Sequence, residues 1–303
     1  MQPIRAALVL LVLALAACGP QIGSLQRGER GRVARVFDGD TLELDSGLRV
    51  FLAEIDAPQG EASYAAQSQG ELEALALHRE VLLAYGGTRR WMRRRPEARA
   101  ATTEATQPAA TAPQEAPAVT AIAHVFVKSE GGRWFWLQHE LVARGAAYVR
   151  PRRDNHARTA DLMGIETQAR AAQRGMWGRR EYRPLNVRAA AEAALAANTS
   201  CLRADAPYRV VEGRVAQVRT FERRASLALE SAPDKPFALV VFGDNFTSWD
   251  GPALNTLQGA QVRVRGALGM FHEEPQLCLE HASQLEVLGA PAPRRQAAAR
   301  AGN

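Results

Sequence analysis

The sequence predicts a mainly β fold with packed helices, of the α+β class, divided into two ordered units. Apolar and polar residues alternate over many short segments, which is typical of strands with one buried face. Helical apolar spacing occurs in only a few longer segments between them. A chain of 303 residues with 47% hydrophobic composition is long enough to bury two cores. The predicted organisation is a leader at 1–18, a polar tether at 19–30, a first unit at 31–178, a helical linker at 179–206, a second unit at 207–289 and a disordered tail at 290–303.

The first unit opens with a strong β-hairpin signal. Apolar residues alternate over 33–36 and 42–44, on either side of an Asp38-Gly39 turn. Residues 91–119 are rich in Ala, Thr, Pro, Gln and Glu and cannot bury a core, so they are predicted to be a disordered insertion. The remaining predicted elements are strands at 49–55, 80–84 and 121–127, and helices at 62–77, 137–145 and 159–174.

The second unit is predicted to be a five-stranded barrel of the OB type. Its short strands are separated by a long break after the third. Segments 211–215, 257–266 and 284–288 resemble bacterial OB-fold domains. These motifs mark the barrel and not its ligand, so a protein partner is an open alternative to nucleic acid. The predicted strands are 208–219, 225–230, 237–242, 261–268 and 276–287.

The N-terminus has the pattern of a bacterial lipoprotein leader. Arg5 precedes the unbroken apolar run 6–17, which is too short to span a bilayer as a helix. The run ends at Cys18, which is predicted to be lipidated and to become the mature N-terminus. An ordinary cleaved signal before a cysteine is the alternative. Gly19 follows, which by analogy with bacterial lipoproteins predicts an outer-membrane anchor facing the periplasm.

The other two cysteines are Cys201 and Cys278. An even pair in an oxidising compartment predicts a disulfide, with two buried free thiols as the alternative. Of the 38 basic residues only Lys128 and Lys235 are lysines. Arginine suits phosphate because its guanidinium binds bidentately, although codon bias in a GC-rich genome also explains the excess.

Several motifs in the first unit, taken in order, resemble the staphylococcal nuclease (thermonuclease) family. The resemblance covers about residues 31–178 and implies a five-stranded OB-like barrel with helices packed on it. The motifs are Asp38-Gly39-Asp40-Thr41, Ile55-Asp56-Ala57-Pro58, Tyr85-Gly86-Gly87-Thr88-Arg89-Arg90, Ala123-His124-Val125-Phe126-Val127, residues 137–148 and Gly175-Met176-Trp177-Gly178.

The resemblance also implies a calcium-assisted phosphodiester hydrolase acting on DNA or RNA. In that chemistry two aspartates and a backbone carbonyl hold the metal, a glutamate activates water and two arginines stabilise the transition state. The metal positions are Asp40, Asp56 and the carbonyl of Ala57, which offer the oxygen ligands that Ca²⁺ prefers. The two aspartates could equally cap turns by accepting backbone amides.

Three positions depart from the family pattern. The glutamate position is Gln59, whose amide cannot take a proton from water; Glu61 is a candidate substitute. The first arginine position is Phe51, and Arg49 lies on the same face of that strand.

The segment that carries the second arginine is missing, so that position falls on Thr120 or on Arg95, depending on where the insertion lies. The arginines within 89–95 and 150–153 are further candidates for phosphate contacts, with solvated loop charge as the alternative.

These departures favour a membrane-anchored binding protein for nucleic acid or a protein partner, with weak or lost hydrolysis. An active calcium-dependent nuclease using the substitute residues is the first alternative, and a cell-envelope scaffold is the second.

Overall fold

The computed structural model describes residues 21–60, 62–93, 119–203, 206–231, 236–271 and 273–289. The predictions for the leader, Cys18, Glu61, Arg95, most of the insertion and the tail lie outside these residues. Within the described ranges, none of the helices combines the length and the apolar composition that a membrane crossing requires.

The first unit is a closed β-barrel, and the predicted hairpin is its first element. Strands β1 (Gln26–Val36) and β2 (Thr41–Leu44) pair antiparallel around the Asp38-Gly39 turn. The barrel continues with β3 (Arg49–Leu52), β5 (Glu80–Tyr85) and β7 (Val119–Lys128). Because β3 pairs with both β2 and β7, the ring of five strands has no open edge. Alternate residues of β2 and β3 point into the core, as the sequence pattern predicts.

The other elements of this unit lie on the barrel or pair with its strands. Helix α1 (Ala65–Ala76) and helix α2 (Leu137–Ala143) contribute buried leucines to the barrel core, and helix α3 (Thr159–Ala171) follows them. The short strands are β4 (Ile55–Asp56), β6 (Trp91–Arg93), β8 (Trp134–Trp136) and β9 (Tyr148–Val149).

The second unit is also a closed five-stranded barrel. Its ring consists of β11 (Tyr208–Phe221), β12 (Arg224–Leu229), β13 (Ala238–Phe242), β14 (Gln261–Phe271) and β15 (Glu274–Leu279). The ring closes because β14 pairs with both β15 and β11. Helix α5 (Gly243–Thr247) follows β13 in the long break that the sequence predicts. The mainly β, α+β fold class with two five-stranded barrels is therefore confirmed.

The predicted strand 276–287 is wrong, because a turn divides it into β15 and β16 (Leu285–Gly289). The His281 ring accepts the backbone N–H of Ser283, and the Gln284 side chain accepts the N–H of His281. This capping box nucleates a single 3-10 turn at Ala282–Gln284. Strand β16 then pairs with β14 outside the ring.

Three predicted boundaries also shift. Residues 91–93, inside the predicted insertion, form β6 and pair with β7. Strand β1 begins at Gln26, inside the predicted tether, because it pairs there with the end of β5. The predicted linker contains strand β10 (Leu185–Asn186), which pairs with β11, and helix α4 (Val187–Ala197). The apolar face of α4 is buried in the core of the second barrel, so the helix belongs to that barrel.

The two barrels meet through an aromatic cluster and a buried ion pair. The ring of Tyr208, at the start of β11, packs edge-on against Tyr148 of β9, and its hydroxyl donates to the carbonyl of Val149 at 3.3 Å. Arg265 of β14 is fully buried and pairs with Glu166 of α3. The second barrel is thereby fixed to the strand that leads directly into Arg150.

Candidate functional site

Asp40, directly before β2, is fully buried and accepts three hydrogen bonds from residues that the structure describes. Its carboxylate receives the backbone N–H of Ala57 at 2.7 Å, the Thr41 hydroxyl at 3.1 Å and the Gln59 side-chain amide at 3.3 Å. Burial, followed by the charges of Asp38 and Asp56, raises the pKa of Asp40 well above its usual range. In this geometry Asp40 acts as the acceptor that ties the hairpin turn to the loop after β4.

Gly39 allows this close approach of the two loops. A Cβ atom at that position would lie 2.0 Å from the Ser68 hydroxyl oxygen and 2.6 Å from the Cβ of Ala57. Any side chain would therefore push the Asp38–Asp40 turn away from α1 and from the 56–58 loop. The glycine of the Asp-Gly motif is required here by packing, in addition to the turn that the sequence predicts.

Asp56, the second predicted metal ligand, is ion-paired with Arg150. The guanidinium of Arg150 donates to Asp56 at 2.9 Å, and both side chains are mostly buried. The antiparallel pairing of β4 with β9 brings them together, because Asp56 lies opposite Tyr148. Burial acts to lower the pKa of Arg150, but the Asp56 charge and hydrogen bond outweigh it, so the pKa is raised and the guanidinium stays cationic.

The described donor set does not fit a calcium ion as these side chains stand. An oxygen of Asp56 is bonded to a guanidinium, and the Asp40 carboxylate already accepts hydrogen bonds from an amide N–H, a hydroxyl and a side-chain amide. Among the described residues, no group of three or more acidic, histidine or cysteine side chains is arranged to hold a metal. Calcium prefers six to eight oxygen ligands, and here a cationic side chain competes for one of them.

Of the three substitute catalytic residues, only Arg49 belongs to the part of the chain that the structure describes. The guanidinium of Arg49 lies 3.8 Å from the centroid of the Phe37 ring, on the same face of β3 as Phe51. Thr120 is buried on β7, opposite Met92 of β6. Glu61 and Arg95 lie outside the described residues, so their roles stay predictions.

The structure instead brings together arginines from the two runs that the sequence offers as phosphate contacts. They line a cavity of about 340 Å³ beside Asp56, here called the arginine cleft. Arg89 follows β5, and Arg150 and Arg152 follow β9. The cleft is lined by Arg89, Arg150, Arg152, Asn155 and Gln59, by the acidic Glu54 and Asp56, and by the apolar Phe51, Ile55, Met92 and Ile122.

Carboxylates hold two of these arginines in place. Arg89 pairs with Asp154 at 2.8 Å, and Arg152 lies 3.7 Å from the same carboxylate and 3.9 Å from Glu280. Both guanidinium groups are partly exposed. A guanidinium has five N–H donors, more than these carboxylate contacts use. Pre-positioned arginines lose less conformational freedom when they bind an anion.

A second cavity of about 430 Å³ lies on the other side of the Asp56–Arg150 pair, between the two barrels. It is here called the inter-barrel cavity. The first barrel contributes Gln59, Ser63 and Tyr148, and the second contributes Tyr208 and Arg209. The sequence pattern does not mark these tyrosines, because only the docking of the barrels brings them to Asp56.

Glu54 is a further residue that the motif comparison misses. It has a φ of 65°, which is unusual for a residue with a side chain, and is buried against the cleft. Its carboxylate contacts His124 Nε2 at 3.1 Å and accepts from the Thr159 hydroxyl at 2.7 Å and the Arg158 amide at 3.1 Å. Strand β7, helix α3 and the strained turn are thus joined at one side chain.

We expect Glu54→Gln to lower the free energy of unfolding at neutral pH. In the variant this free energy should also change less as the pH falls into the acidic range. Burial acts to raise the pKa of Glu54, but the hydrogen bond and charge of His124 and the other hydrogen bonds outweigh it, so the pKa is lowered. Because the pKa of Glu54 is lower in the folded state, its carboxylate stabilises the fold at pH values above its unfolded-state pKa of about 4.5. This stabilisation is lost as the pH falls through the folded-state pKa.

Urea unfolding at several acidic pH values measures this effect, with Glu130→Gln as the control because Glu130 is 94% exposed. We expect the Glu54 variant to lose about 1–3 kcal/mol at neutral pH and the control almost nothing. Equal losses in the two variants would contradict a structural role for the Glu54 carboxylate.

Comparison with models of known protein families and with curated proteins gives no match to this chain.

Proposed function

We propose that the chain is a membrane-anchored, thermonuclease-like protein that binds single-stranded nucleic acid and hydrolyses it weakly or not at all. The observation that carries this proposal is the ion pair between Arg150 and Asp56. It directs an arginine toward the place where the nuclease resemblance implies a metal. A guanidinium there favours binding of a phosphodiester without supplying the chemistry that cleaves it.

The residues at the implied catalytic positions support weak or lost hydrolysis. Gln59 hydrogen-bonds to Asp40 and its amide is not a base. Loss of a general base typically lowers the rate by about 10²–10⁴. Phe51 stands where the family carries its first arginine, and the second arginine position falls on Thr120 or on Arg95. The loss of one such charge stabiliser typically costs about 3–4 kcal/mol of transition-state energy.

The shape and chemistry of the arginine cleft support a nucleic-acid ligand. Its guanidinium groups can each donate two parallel hydrogen bonds to a phosphate. Phe51, Met92 and Ile122 form an apolar wall beside them, which suits a sugar or the face of a base. A protein partner and a cell-envelope scaffold are the other outcomes of the test.

We expect the purified, lipid-free protein to bind a fluorescent single-stranded oligonucleotide, and Arg152→Gln to weaken this binding. The variant removes a partly exposed arginine of the cleft, so the protein neutralises one phosphate fewer on the bound strand. The slope of log affinity against log salt should therefore fall by about 0.7. Arg188→Gln is the matched control, because it removes the same charge from an exposed position on α4.

Equal binding by the two variants would exclude the cleft as the interface. Absence of binding by the wild-type protein would favour a protein partner or the scaffold.

The same protein should show no calcium-dependent cleavage of single-stranded DNA. Cleavage by the folded protein that is abolished in Asp40→Ala would overturn the proposal. The chain would then be an active nuclease that uses Asp40 and Asp56 with Glu61, Arg49 or Arg95 as substitutes.

The membrane anchor is part of the proposal. Cys18 at the end of the apolar run supports lipidation, and Gly19 after it supports an outer-membrane anchor that faces the periplasm. Metabolic labelling with a fatty acid tests this: the label should be incorporated by the wild type and absent from Cys18→Ser.

A further inference from the structure

The inter-barrel cavity contains a buried hydroxyl that lacks a partner. Tyr148 is 3% exposed and lines the cavity, and its hydroxyl makes no hydrogen bond with the residues that the structure describes. Edge-on contacts with Trp177 and Tyr208 fix the orientation of its ring. Most buried polar groups in proteins have a hydrogen-bond partner, so a buried hydroxyl without one requires an explanation, for which a bound molecule is one candidate.

Burial raises the pKa of the Tyr148 hydroxyl, so it stays protonated over the physiological range. The group that satisfies it therefore accepts a hydrogen bond. Arg209 lines the same cavity, and its positive charge opposes the rise in that pKa. The hydroxyl and the guanidinium together favour an anionic oxygen.

Arg209 comes from the second barrel. It lies on β11, and one of its terminal nitrogens donates to the carbonyl of Tyr208 at 2.8 Å. This hydrogen bond restrains a side chain that lines the cavity, and the guanidinium has further N–H donors with which it can bind a ligand. The neighbouring Tyr208 ring packs beneath the Arg150 guanidinium, with 5.0 Å between Cζ and the ring centroid.

The inter-barrel cavity and the arginine cleft share part of their walls. Asp56, Gln59 and Arg150 border both of them. A ligand that lies in the arginine cleft therefore reaches the inter-barrel cavity by passing the Asp56–Arg150 pair. A single strand carries one phosphate per nucleotide, so it can present an anionic group to each cavity.

We propose that the second barrel completes the nucleic-acid site, with Arg209 and the Tyr148 hydroxyl together holding one phosphate of a strand whose neighbouring phosphate lies in the arginine cleft. This inference rests on the proposed function, because it assumes that the cleft binds a strand. It adds a role for the second barrel, which supplies a phosphate contact from outside the nuclease-like unit.

The test is oligonucleotide binding over a range of salt concentrations by Arg209→Gln and Arg219→Gln. Arg219 is exposed and lies further along β11, so its replacement removes the same charge away from the cavity. We expect Arg209→Gln to weaken binding about 10-fold and to reduce the salt slope by about 0.7, with little change in the control. Equal behaviour of the two variants would overturn the inference while leaving the proposed function intact.

Tyr148→Phe separates a binding role from a structural one. Because the hydroxyl has no partner within the described residues, its removal should leave the unfolding midpoint unchanged or raised. Binding should nevertheless weaken several-fold, since the variant cannot donate a hydrogen bond to the phosphate. Unchanged affinity would overturn the role given to this hydroxyl. A wild-type protein that binds no oligonucleotide would overturn the inference together with the proposed function.

Discussion

Replacing Arg265 with methionine should lower the free energy of unfolding by about 3–5 kcal/mol. Arg265 is fully buried, and its guanidinium donates to Glu166 of α3 and, at 2.8 Å, to Glu286 of β16. Burial acts to lower its pKa, but the charges of Glu166, Tyr208 and Glu286 outweigh this effect, so the group stays cationic. Its removal leaves the buried Glu166 carboxylate without its main counter-ion.

The same carboxylate also positions the strand that precedes the candidate site. Glu166 accepts the backbone N–H of Val149 at 2.9 Å, and Val149 is followed directly by Arg150. Arg170 lies 3.4 Å from Glu166 and compensates for only part of the missing charge. We therefore expect the variant to bind an oligonucleotide more weakly as well as to unfold earlier.

Urea unfolding measures the change, with Arg188→Met as the control because Arg188 is 76% exposed. The control should stay within about 0.5 kcal/mol of the wild type. The double variant Arg265→Met, Glu166→Gln should recover much of the loss, since it removes the unpaired charge and keeps an acceptor for Val149. A single variant as stable as the wild type would show that the pair does not hold the barrels together.

Removing the disulfide should have an effect of similar size. The structure joins Cys201 to Cys278 across 77 residues of chain. A loop of that length is worth about 4 kcal/mol on the chain-entropy model, and loss of a native disulfide typically costs about 2–5 kcal/mol. The bond connects the segment after α4 to β15, so the helix is attached to the barrel at both ends.

The change is measured by comparing the wild type with the double variant Cys201→Ala, Cys278→Ala in the presence and absence of a reductant. We expect the reductant to lower the unfolding midpoint of the wild type to about that of the variant, and to leave the variant unchanged. A reductant effect of the same size on both proteins would mean that it acts elsewhere.

Local patterns in the sequence were sufficient to predict most of the strands. Alternation of apolar residues around Asp38-Gly39 predicts the first hairpin, and the structure confirms it. The error at 276–287 arose because apolar residues continue across the turn, while the capping box that interrupts the strand depends on His281 and Gln284. Side-chain caps of this kind leave little trace in a hydrophobic pattern.

The candidate site was predictable only in part, since its members come from distant positions. The motif containing Asp56 was evident, but its ion pair with Arg150 spans 94 residues and depends on the pairing of β4 with β9. Glu54 also has no sequence signal, because its φ and its contacts with His124 and Thr159 exist only in the folded barrel.

Periodic burial is a local property that each strand carries in its own residues, so the amino-acid pattern was enough to predict the fold class and the second barrel. The first barrel was expected from the resemblance to a known family. The catalytic positions came from the resemblance to nucleases, and their roles stay predictions. Only the folded molecule shows that Arg150 meets Asp56 and that α4 belongs to the second barrel. It also shows that Tyr208 and Arg209 line the cavity next to Asp56. The energy between two charges depends on their distance in space, and two charges that are far apart in the sequence can be brought close together by folding. A local sequence pattern therefore does not reveal such pairs.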